Sequence, residues 1–122
     1  MEISLALLPA FIHVYIFALE SLLWGKKRTN KVFRMTEAEA QTTKLMAFNQ
    51  GFYNLFLAIA IFLGLHLRTG EMTQSAGTVL VIYGLASIIA AGAVLILSSR
   101  QLWRAALIQI IPAAIAIIPY LK

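Results

Sequence analysis

Three carboxamides and a phenol stand within six residues, Asn49-Gln50-Gly51-Phe52-Tyr53-Asn54, inside a run otherwise apolar enough to cross a bilayer. A polar group at membrane depth has to find its partners in protein or in trapped water, so such a cluster marks either a binding site or a contact between helices. Two ionisable side chains, His13 and Glu20, interrupt another apolar run; they are seven residues apart, which places them on one face of a helix. A further carboxamide, Gln109, interrupts a third. Together these groups have the chemistry to hydrogen-bond a small polar or amphipathic molecule, and His13 or Glu20 has an exchangeable proton. Interhelical glue is the plainer use of the same residues, although hydrogen bonds of that kind in membranes average below ~1 kcal/mol each.

The residue types that are missing narrow the chemistry. There is no cysteine, so disulfides, thiolate ligands and cysteine nucleophiles are ruled out. No HExxH, P-loop, GxSxG or dinucleotide fingerprint occurs, and no His and carboxylate group has metal-ligand spacing. No metal and no cofactor is therefore expected.

The elements that must position these side chains follow from composition. In 122 residues, 61% are hydrophobic and 12% charged, with a mean hydropathy of +0.84, which describes an integral membrane protein. Apolar runs predict helices at about 3–24, 37–67, 76–97 and 104–121, each containing enough apolar residues to span ~30 Å of hydrocarbon. A β-barrel would instead alternate over ~10-residue strands. Short connections make neighbouring helices antiparallel, so the expected fold is all-α: one domain, an antiparallel four-helix transmembrane bundle. The first run opens on Glu2 rather than on a basic segment and carries His13 and Glu20, so it reads as a retained helix, not a cleaved signal.

Orientation follows from the basic residues. Lys26, Lys27, Arg28, Lys31, Arg34 and Lys44 flank the first connection and Arg100 and Arg104 the third, against Arg68 and Lys122 on the opposite side. Basic loops stay cytoplasmic, so both termini are expected outside a bacterial inner membrane. The net charge of +5 then belongs to topology and to anionic membrane lipid, with no nucleic acid as partner.

Depth and facing link the polar groups. Thr36-Glu37-Ala38-Glu39 has the form of a capping box, which starts the second helix before the membrane does. From 37 to 67 that helix would run roughly 46 Å at ~1.5 Å per residue, longer than the hydrocarbon core. Trp24 and Trp103 are expected at the headgroup level. Counting inward from there puts Glu20, Asn49, Gln50, Asn54 and Gln109 in one layer of the cytoplasmic half, with His13 nearer mid-membrane. Asn49 with Tyr53 and Gln50 with Asn54 are i,i+4 pairs, and the sector they cover is expected to face protein. Gly51 between them admits close approach of a neighbour. Ala86/Ala90 and Ser87/Ala91 in the third helix have small-xxx-small spacing for helix packing. Pro112 is expected to bend the fourth helix beside Gln109 and to free carbonyls toward a cavity.

Glu20, Trp24, Phe33, Thr36-Glu37 and above all Ala47-x-Asn49-Gln50-Gly51-x-Tyr53-Asn54-x-Phe56-Leu57-Ala58 resemble the small bacterial membrane proteins grouped as domain of unknown function 1304. That resemblance covers nearly the whole chain and implies the fold rather than an activity. The Asn, Gln and Tyr ahead of Phe-Leu-Ala are also similar to the second helix of MAPEG membrane proteins. This second likeness implies a four-helix trimer acting on a lipophilic substrate with glutathione, in which arginines hold the thiolate. The polar layer here has no arginine in the second helix; Arg100 and Arg104 stand near the later turn.

Three readings stay open. One is a module that binds or transports a small polar or amphipathic ligand through His13, Glu20, Asn49, Gln50, Tyr53, Asn54 and Gln109. Another is a MAPEG-like enzyme with Tyr53 as hydroxyl donor. In the third, the polar layer only holds a homo-oligomer or another partner together.

Overall fold

In the computed structural model, which describes residues 4–122, all regular structure is helical, with no strand among the described residues. Helix α1 covers Leu7–Phe17 and continues through a π-turn, Ala18–Leu22. Helix α2 is a short helix, Lys27–Val32. Helices α3, Glu37–Leu67, and α4, Gln74–Ser98, are long, and α5, Trp103–Ile117, is flanked by 3-10 turns at Arg100–Leu102 and Ile118–Leu121. Three helical stretches, Glu37–Leu67, Gln74–Ser98 and Arg100–Leu121, are long and apolar enough to cross a membrane.

The first helix is shorter than the run of apolar residues suggests. Residue 3, where it was expected to begin, lies outside the described residues, and the helical stretch Leu7–Leu22 stops short of Trp24. Its end is a π-turn in which the Leu23 amide donates to the Ala18 carbonyl, five residues back, at 2.9 Å. Gly25 follows at φ +90°, a conformation that costs other residues strain.

The basic segment after it is not all loop. Helix α2 ends in a Schellman turn: the Met35 amide donates to the Asn30 carbonyl at 3.0 Å and the Arg34 amide to that of Lys31 at 3.3 Å. Arg34 takes the left-handed position, φ +52°, where glycine is usual. Thr36 then caps α3, its hydroxyl accepting from the Glu39 amide at 3.1 Å, which is one half of the expected box.

Packing joins α1 to α3, α3 to α4, α4 to α5 and α5 back to α1. Phe11 meets Phe62 and Phe17 meets Phe52 edge-on, so contacts on α1 and α3 run in opposite chain directions. Small residues set the closest approaches. A Cβ on Gly77 would lie 2.5 Å from the Gly64 carbonyl oxygen, one on Gly84 would lie 2.7 Å from the Ile61 side chain, and one on Gly92 would collide with Ile110. These glycines, rather than the Ala86/Ala90 pair, make the α4 contacts; Ala86 and Ala90 are exposed.

The core of Ala6, Ala10, Ile61, Val81, Leu85, Ile88, Ala113 and Ala116 lies toward one end of the molecule. There the hydroxyls of Ser4 and Tyr120 are 2.6 Å apart, the Arg68 guanidinium stacks 4.8 Å from the Tyr120 ring, and Arg68 also donates to Thr78. The beginning of the described chain, its end and the α3–α4 corner thus share that end. The cavities lie at the opposite end, beyond this core.

Candidate functional site

The π-turn and the middle of α3 are pressed together by Gly51. A Cβ there would lie 3.0 Å from both the Ser21 amide nitrogen and its Cβ, and would overlap the Ser21 hydroxyl. The close approach expected at Gly51 is therefore real, and its partner is α1. With bulk removed, the Ser21 hydroxyl donates to the Phe48 carbonyl at 2.7 Å. One residue earlier, Glu20 is 7% exposed and its Oε1 accepts from the Asn54 side-chain amide at 2.6 Å. Asn54 also reaches the Gln50 carbonyl at 3.3 Å. Widening by one residue in a π-turn re-aims side chains, and such turns recur at functional sites.

Glu20 and Asn54 stand on the wall of a cavity of about 500 Å³ between α1, α3, α4 and α5. Gln50 and Gln109 line it too, so four residues of the expected polar layer converge on one space. The rest of the lining is largely apolar, with Ile12, Ile16 and Leu19 from α1, Ala91 and Leu95 from α4, and Leu102, Ala105 and Ile108 from α5. Pro112 lies inside α5 and has no N–H for the Ile108 carbonyl four residues before it. Val32, Phe33 and Met35, supplied by the end of α2, close the basic end. Tyr15 of α1 and Ile108 of α5 are both lining and exposed, as are Met46 and Gln50 of α3 and Ala91 of α4, so the cavity is open rather than enclosed.

A second cavity, of about 460 Å³, lies on the other side of the π-turn, lined by Ser21, Lys26, Glu37, Gln41, Lys44 and Phe48 among others. Glu20 and Trp24 border both. The Trp24 indole N–H donates to the Ala40 carbonyl at 3.1 Å and to the Thr43 hydroxyl at 3.3 Å, and its ring lies 5.0 Å from that of Phe33. Trp24, read from sequence as a headgroup anchor, is part of the partition between two cavities.

The remaining expected residues go elsewhere. His13 is fully buried, does not line either cavity, and donates from Nδ1 to the Pro9 carbonyl at 3.0 Å; its Nε2 has no partner among the described residues. Asn49 and Tyr53 lie on the outer surface of α3, Tyr53 at 64% exposure, so the polar sector does not face protein as a whole within one chain. Of the two i,i+4 pairs, Gln50 and Asn54 are joined through the Gln50 backbone carbonyl, and α1 covers only the Gly51 and Asn54 side of the sector.

Sequence reasoning missed Tyr15, Phe33 and Glu39, all of which line the larger cavity. Glu39 was read only as half of a helix cap. Phe33 had a weak signal in the string that carries the family resemblance. No group of His, Asp and Glu suited to a metal ion occurs among the described residues.

No curated protein and no solved structure matches the chain. The model of a family described as protein of unknown function, DUF1304, matches residues 7–121, and the chain belongs to that family.

Proposed function

We propose that this is a membrane protein of the bacterial inner membrane that binds, and in doing so can carry, a small amphipathic molecule in the larger cavity. In this reading the shorter stretch Leu7–Leu22 and the three long ones form one antiparallel transmembrane bundle with both termini outside and the Lys26–Lys44 segment in the cytoplasm. The observation that carries it is the Glu20–Asn54 hydrogen bond on the wall of a largely apolar cavity of about 500 Å³. A buried carboxylate is costly unless it is used or paired, and apolar clefts with a few convergent polar groups are the common form of ligand sites. The open sides of the cavity give a molecule dissolved in the bilayer a way in.

A thermal-shift series on the detergent-solubilised protein tests this reading. Amphipathic amines, alcohols and acids are compared on the native chain and on Ala105→Phe, which fills the cavity. Stabilisation of the native chain alone is expected; a shift that survives Ala105→Phe, or none with any compound, sinks the proposal.

Homo-oligomerisation is part of the same proposal. Asn49 and Tyr53 on α3, with Ala86 and Ala90 on α4, are exposed on the single chain, and small or polar residues on outer helix faces favour helix–helix contact in lipid. Loss of oligomer mass on Asn49→Leu in mild detergent would support it. The MAPEG-like reading has less to rest on: among the described residues no lysine or arginine lines the larger cavity, and the Arg104 guanidinium lies 5.2 Å from the Trp103 ring centre.

A further inference from the structure

We infer that the molecule held in the larger cavity is a lipophilic cation, such as an amine or onium ion on an apolar body; this rests on the cavity being a binding site. The inference comes from the charges that line the space. Among the described residues two carboxylates border it, the buried Glu20 and the exposed Glu39, and no lysine or arginine does. The remaining polar lining groups, Gln50, Asn54, Gln109 and Thr43, are neutral.

The Glu20 carboxylate receives a hydrogen bond from Asn54, an uncharged amide. Lys26 and Lys44 border the other cavity, beyond the Glu20 and Trp24 partition, and neither makes an ion pair with Glu20 among the described residues. A buried carboxylate without a resident cation leaves room for one that arrives with the ligand. An anionic ligand would meet two like charges and nothing to offset them.

Aromatic rings supply the second half of the recognition. Tyr15, Trp24 and Phe33 line the same space, and the faces of such rings attract cations, more strongly where water is excluded. The aliphatic lining from α1, α4 and α5 suits the apolar body. A polar metabolite without such a body would leave that surface unmatched.

The test is equilibrium dialysis of radiolabelled tetraphenylphosphonium against the full chain in a neutral detergent, with detergent alone as the blank. Tetraphenylborate, an anion of the same shape, is dialysed separately. Saturable binding of the cation and not of the anion is expected. Glu20→Gln, which retains an oxygen acceptor for Asn54, should weaken that binding roughly tenfold or more. Gln50→Lys, at an exposed position bordering the cavity, should weaken it similarly by installing a resident cation, and serves if Glu20→Gln fails to fold. The inference is overturned if the anion binds as well as the cation, if neither ion binds, or if cation binding survives both substitutions. In any of those cases, stabilisation by neutral compounds that Ala105→Phe abolishes would still leave the cavity as a binding site for a different ligand class.

Discussion

Asn54 donates its side-chain amide to the Glu20 carboxylate across 2.6 Å, joining the middle of α3 to the π-turn of α1. The two residues are 34 positions apart in sequence, and their contact places a carboxylate on the wall between two cavities. A neutral pair at these positions would hold the helices at lower desolvation cost, which is why a site is proposed here rather than packing alone.

Breaking the pair from the α3 side should be costly. Asn54→Leu is expected to destabilise the protein by about 1–2 kcal/mol, since it strands a buried acceptor. Glu20→Gln should cost less than ~1 kcal/mol, because its amide oxygen still accepts. Reversible unfolding in mixed micelles, followed by circular dichroism, measures both; equal losses would contradict the hydrogen-bond account.

Gly51→Ala should be more damaging than an ordinary glycine change in a helix, where alanine normally helps. The added Cβ would meet the Ser21 backbone as well as its side chain, and overpacking of that kind costs about 1–3 kcal/mol. Ser21→Ala in the same chain should recover only part of the loss, since the amide nitrogen 3.0 Å away remains. Full recovery in the double variant would mean that the helices are not in backbone contact there.

His13→Leu separates a structural histidine from a ligand-binding one. The side chain is fully buried away from both cavities, with no partner for Nε2 among the described residues. Replacement by a similar apolar group should leave stability unchanged or raise it by up to ~1 kcal/mol, and should not alter ligand binding. A loss of binding with the fold intact would return His13 to the site.

Arg34 occupies the left-handed position of the Schellman turn that ends α2. Arg34→Gly removes the steric penalty at that position and should stabilise the protein by roughly 1 kcal/mol, whereas Gly25→Ala should destabilise it by a similar amount. Denaturation midpoints of the two variants should therefore move in opposite directions.

The absence of cysteine makes topology directly measurable. Single cysteines at Lys27 and at Glu71 should label from opposite sides of sealed bacterial cells, Glu71 with an impermeant maleimide and Lys27 only after permeabilisation. The reverse pattern would invert the bundle, and equal labelling would mean that α3 does not span.

The sequence by itself determined the helical class, the start of α3 and the groups able to do chemistry. Long apolar runs leave the backbone no partners but its own, Thr36 offers an acceptor for exposed helix amides, and carboxamides stand out against leucine and phenylalanine. Because rise per residue is constant along a helix, it also grouped Glu20, Asn49, Gln50, Asn54 and Gln109 in one layer, and all of these but Asn49 line one cavity. Rotation about the helix axes was another matter. Which side of α3 meets α1 depends on Gly51 receiving Ser21 and on the π-turn that this contact accompanies, and periodicity contains no signal for an extra residue in one turn. Only the tertiary structure could turn Asn54 inward and Asn49 outward, seat His13 in the core, fold Trp24 and Phe33 over the cavity, and leave that cavity bordered by carboxylates with no lysine or arginine among the described residues. Those outcomes are set by contacts between residues far apart in the chain, where close packing of one glycine decides the facing of its neighbours.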